Sequence, residues 1–108
     1  MASNRKEKLN KELRKLIAQF IERESNKTSL VTVTRCEIGS DLRTVVTYIS
    51  VLPEDKEHDV ITFLTRRKKG VWEYLKKNLP IRTIPFVEFV IDTGEKNRQE
   101  IDRLLKGV

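Results

Sequence analysis

The chain has 108 residues with 22 Lys and Arg against 16 Asp and Glu, a net charge of +6. That length suits one ordinary domain and can bury a core without a metal or disulfides. Its one cysteine, Cys36, excludes an intrachain disulfide, and no apolar run approaches the roughly 20 residues of a membrane span. The N-terminal stretch MASNRKEKLNKELRK is too charged for a signal peptide's apolar core, so a cytoplasmic protein is expected. A basic balance attracts polyanions, and nucleic acid or an anionic membrane surface would each satisfy it.

Residues 3–25 read as an amphipathic helix capped by Ser3 or Asn4, with Leu9, Leu13, Leu16, Ile17, Phe20 and Ile21 on one stripe. The polar segment 25–29 ends it. Residues 30–38, LVTVTRCEI, read as a strand. Val31 and Val33 share one parity while Cys36 and Ile38 share the other, which predicts a bulge between them. Gly39-Ser40-Asp41 turns the chain into a second strand at 43–51, and the short connection predicts an antiparallel hairpin.

Pro53 opens a helical region that runs to residue 79, with Val60, Phe63, Leu64, Val71, Trp72, Leu75 and Leu79 apolar. Gly70 interrupts it and marks the expected kink. Pro80 stops the second half. Residues 84–91, IPFVEFVI, read as a third strand, with Pro85 favouring an edge or a strand start. After the turn Asp92-Thr93-Gly94, residues 95–106 read as a short last helix bearing Ile101, Leu104 and Leu105. This order predicts one α+β domain over 1–108, a three-stranded sheet covered by helices on one face.

Little in the chain suits catalysis. His58, the one histidine, lies among Asp55, Glu57 and Asp59 in the first turns of a helix and reads as an exposed polar residue. Cys36 reads as a small core hydrophobe. No Cys/His spacing fits zinc and no phosphate-binding glycine loop occurs. Neither an enzymatic step, a cofactor, a metal nor a small-molecule substrate is expected.

The basic residues are more informative. Arg66, Arg67, Lys68 and Lys69 are consecutive and run into Gly70. Four consecutive helical positions span a full turn and cannot share one face, so the run needs an exposed, kinked or terminal helix. A bare backbone at Gly70 would admit a phosphate, and a helix beginning near Val71 would direct free N–H groups at it. Lys76, Lys77 and Arg82 extend the cluster. These eight residues, Gly70 included, form the candidate RNA-binding set. Arg35 and Arg43 read as ordinary surface charges, and Trp72, spaced with Leu75 and Leu79, as a core residue. A protein-interaction module without RNA remains the alternative.

Three segments, VTVTRCEIGSDLRTVVTYISVL, KKGVWEYLKKNLPIR and IPFVEFVID, occur in an order and spacing that resemble the ribosome-binding factor A family. The resemblance runs from about residue 5 to 106. It implies a type II KH-like fold of order αββααβ plus the short C-terminal helix. It implies an interhelical Ala-x-Gly in place of the GXXG loop with which KH domains clamp nucleic acid. Gly70 matches that glycine. Lys68 stands where the family has alanine, and Glu73 where relatives often carry arginine. The implied function is that of a bacterial assembly factor. It would bind the free small (30S) subunit and its 16S rRNA as a monomer, assisting late rRNA maturation in cold-grown cells.

Overall fold

The computed structural model describes residues 2–25 and 28–93. Helix α1 spans Ala2–Glu24 and buries Leu13, Leu16, Ile17, Phe20 and Ile21, the stripe its spacing dictates. It begins at Ala2, so Ser3 and Asn4 lie within the helix and do not precede it as caps. The chain then forms β1 (Leu30–Ile38) and β2 (Thr44–Leu52), an antiparallel pair. The register slips between Val33 and Arg35, leaving Thr34 unopposed. That bulge carries Val33, Cys36 and Ile38 into the core together.

The hairpin turn is closed by Gly39 N–H to the Thr44 carbonyl at 2.8 Å and by Arg43 N–H to Asp41 Oδ1 at 3.0 Å. Leu42 sits within it at φ 62°.

Pro53 precedes a single 3-10 turn, Glu54–Lys56, which leads into α2 (Glu57–Arg66) and then α3 (Lys68–Asn78). The break falls at Arg67, three residues before the expected kink. Arg67 has φ −104° and ψ 9°, and its N–H bonds back to the Leu64 carbonyl at 2.9 Å in place of an i−4 partner. The i−4 pattern resumes when Val71 N–H reaches the Arg67 carbonyl at 3.0 Å. Gly70 is thus an ordinary helical residue of α3. A Cβ there would stand 3.2 Å from Cζ of Phe20 on α1, a tight contact that the glycine avoids.

Strand β3 covers Phe86–Ile91 and pairs parallel with β2, giving the sheet order β1-β2-β3 with β3 at an edge. Ile84 and Pro85 are buried but precede the strand. The main core lies between one sheet face and the three helices, joining Val45, Ile49, Val51, Val87 and Phe89 to Leu13, Ile17, Leu64, Val71 and Leu75. The fold is therefore α+β and KH-like, as expected. Thr47, a buried polar side chain, lies against the Cys36 sulfur at 3.6 Å. The opposite sheet face carries Val46 and Tyr48, with Val90 packed against them. The expected helix at 95–106 lies outside the described residues. No helix among the described residues is long and apolar enough to cross a membrane.

Candidate nucleic-acid interface

The break at Arg67 sorts the four consecutive cations into different surroundings. Arg67 turns back toward α1, its guanidinium 3.5 Å from the Glu24 carboxylate and 4.9 Å from the Phe63 ring centre. Lys68 reaches the sheet edge, where its ammonium meets Glu88 at 2.8 Å. Arg66 lies on the outer side of α2 beside His58 and Thr62. Lys69 is exposed and makes no ion pair among the described residues. Two of the four are therefore partly neutralised by carboxylates distant in sequence.

Along α3, Lys69, Lys76 and Lys77 line an open groove against α1, which contributes Phe20, Arg23 and Glu24. Four cations face two carboxylates there, Glu24 and Glu73. Aromatic rings stiffen the cationic side chains: Arg23 lies 5.5 Å from the Tyr74 ring centre and Lys76 5.3 Å from that of Trp72. Tyr74 in turn tilts against Phe20 with centroids 5.8 Å apart. Arg82 is exposed in the loop after α3 and does not line this groove. The cluster expected from sequence thus resolves into a ridge on α3, with Arg66 and Arg82 apart from it.

A Cβ on Gly70 would stand 3.2 Å from Cζ of Phe20, so the bare backbone eases the approach of α3 to α1, and Gly70 also lines the open groove. Trp72 packs against the main core as expected, but from its margin. Val71, Leu75 and Leu79 are buried, whereas Trp72 is half-buried at the protein surface, its indole N–H donating to the Ile84 carbonyl at 3.2 Å. Arg23 is a residue that spacing alone did not mark, because its contact to Tyr74 crosses between helices.

The remaining reactive side chains are quiescent. Burial pushes the Cys36 thiol up to about 11, against a weaker lowering by the Thr47 hydrogen bond and by Arg14. A thiol in that state is no nucleophile at neutral pH. Burial also raises the Tyr48 phenol to about 12, reinforced by Glu37, whose Oε2 accepts its O–H at 2.9 Å. Arg35 stacks 4.1 Å above the same ring. It is therefore a structural partner of Tyr48 as well as a surface charge. No group of three potential metal ligands occurs among the described residues.

A three-stranded sheet with one parallel pair, helices on one face and a broken helix pair at the parallel crossover defines the chain as a KH-like domain. A family model, ribosome-binding factor A, matches residues 5–105, and the chain belongs to that family. The ribosome-binding factor A of Natranaerobius thermophilus is 32% identical over 109 residues, spanning 98% of this chain and 83% of that protein. The crystal structure of ribosome-binding factor A from Thermus thermophilus superimposes with a TM-score of 0.73 at 22% identity, covering 80% of this chain and 93% of that one. A homology model of the Thermus factor, fitted into a cryo-EM map of a 30S complex, is similar with a TM-score of 0.66 at 21% identity, covering 74% of this chain and 87% of that one.

Proposed function

We propose that this protein is a non-catalytic ribosome assembly factor that binds the free small ribosomal subunit through its 16S rRNA. It assists late maturation of that RNA near its 5′ end, acting as a monomeric single domain in the cytoplasm. The observation that carries this reading is the ridge of Lys69, Lys76 and Lys77 along α3 in a chain whose family match covers nearly its whole length. The similar Thermus factor fitted into the map of a 30S complex supports the choice of partner. The mechanism requires no bond to break. Preferential binding to one rRNA conformation shifts the population toward it, which matters most in the cold, when misfolded RNA rearranges slowly.

Sedimentation of cell extract through a sucrose gradient tests the assignment. The protein should travel with free small subunits and be absent from assembled ribosomes. Neutralising phosphates releases counterions, so the affinity should fall with log salt by about 0.7 to 0.9 per phosphate contacted. Binding insensitive to salt, with no small-subunit peak, would instead mark a protein-interaction module.

A further inference from the structure

Strand β1 forms one edge of the sheet, and its two halves are finished differently. Beyond the bulge, Asn10 of α1 caps the edge, its Oδ1 accepting the Ile38 N–H at 2.9 Å. Before the bulge, no side chain among the described residues caps the backbone of 30–33, and no charged residue or proline interrupts that run. Edge strands are normally blunted in one of these ways, because an open one invites a further strand. We propose that this half of β1 is a docking edge for an extended, uncharged segment of a partner protein, which adds as a fourth strand. The proposal stands apart from the RNA-binding reading, since this edge shares no lining residue with the groove along α3.

The backbone register supplies the bonding groups. Phe86 N–H bonds to the Arg43 carbonyl and Asp92 N–H to the Ile49 carbonyl, each at 2.8 Å, so odd-numbered residues of β2 turn toward β3. Even-numbered ones turn toward β1, which makes Leu30↔Leu52 and Thr32↔Ser50 hydrogen-bonded pairs. By alternation, the N–H and C=O groups of Val31 and Val33 point away from the sheet. A row of alternating donors and acceptors matches the backbone of an extended polypeptide. Phosphate oxygens only accept, and would leave both carbonyls unmet.

Side-chain space lies alongside. Between this edge and α1 runs a groove of about 730 Å³, with Ala18 and Ile21 on the helix side and Val31 and Val33 on the strand side. It adjoins a pit of about 260 Å³ whose apolar wall is Ile21, Val31, Val60, Phe63 and Leu64. Alternate side chains of an added strand would face this apolar space. The others would lie beside Leu30, which is 63% exposed.

Charge and shape select the occupant. Among the described residues the charged lining is Arg14, Lys56, Glu22 and Asp59, two of each sign. In a chain of net charge +6 this is a neutral place, suited to an uncharged segment and not to a polyanion. Because α1 stands beside the edge, a second copy pairing through the same strand would bring its own α1 against this one. A lone strand meets no such obstacle.

An NMR titration of the isotope-labelled protein with the capped peptide acetyl-Thr-Val-Leu-Val-Thr-amide tests the proposal. The amides of Val31 and Val33 should shift most, and the same peptide methylated on its backbone nitrogens should not bind. Val31→Pro removes one outward donor and no ladder bond, so it should fold and bind about threefold to tenfold more weakly. Ala18→Gln should fill the groove and abolish binding, with circular dichroism verifying both folds. Lys69→Glu with Lys77→Glu should bind the peptide as the wild type does. Equal affinity for the methylated peptide, or unchanged affinity in Val31→Pro and Ala18→Gln, would overturn the proposal. So would failure of the wild type to bind. Should either variant unfold, the methylated peptide still decides. If the wild type dimerises in sedimentation equilibrium and Ala18→Gln does not, a second copy occupies the edge, and the peptide reading falls.

Discussion

At the scale of single residues, two positions carry loads their identities only partly reveal. A Cβ on Gly70 would lie 3.2 Å from the tip of the Phe20 ring, a tight contact. Gly70→Val should overfill that contact and lower stability by about 1–3 kcal/mol in urea unfolding. Pairing it with Phe20→Leu should recover part of the loss, and strict additivity in the double-mutant cycle would refute a shared space. The sequence placed a glycine in a helical run but did not show what it packs against. A glycine in a helical run reads as a kink, whereas the need for close approach comes from a ring 50 residues earlier in the chain. Tyr48 gives a second residue-scale test. Its phenol is raised from 10.0 to about 12 by burial and then by Glu37. The unfolded chain therefore releases this proton first, so the contribution is fully present below pH 10.0 and is lost as pH rises through about 12. Tyr48→Phe should flatten the stability profile across that alkaline window. An unchanged slope would mean that the phenol titrates normally.

Among the elements, β1 shows how far parity carries. Val33 on one parity and Cys36 with Ile38 on the other demanded an extra residue, and the register slips at that place. Deleting Thr34 should turn Cys36 and Ile38 out of the core. At about 1.5–3 kcal/mol per buried aliphatic side chain, that change should cost on the order of 3 kcal/mol or more. Thr34→Ala, which removes only a hydroxyl bonded to Asp92 at 2.7 Å and to the Tyr48 carbonyl at 3.3 Å, should cost far less. Similar losses for the two variants, measured by thermal unfolding, would contradict the bulge's role. The helices were less legible. One apolar stripe runs through both α2 and α3, so the sequence could not say where they part. Hydrogen-bond geometry at Arg67 decides it, leaving Arg66 as the last residue of α2 and Lys68 and Lys69 as the first of α3.

On the scale of the whole molecule, the net charge of +6 is a weak guide until the structure distributes it. Eight residues were grouped by closeness in sequence, yet Glu24 and Glu88 reach two of them from distant elements. What remains is a ridge on α3 whose ends are Lys69 and Lys77, with Arg23 added from α1. The fold was legible because strand and helix periodicities are local signals. The ridge was only half legible, since pairing between elements is not. The most direct measurement of the central claim is gradient sedimentation of cell extract carrying the doubly charge-reversed protein, Lys69→Glu with Lys77→Glu, beside the wild type. Both side chains are exposed, so the fold should survive. The wild type should peak with free small subunits, and the variant should shift largely to the top of the gradient. A variant that still sediments with small subunits to the wild-type extent would contradict an interface built on α3.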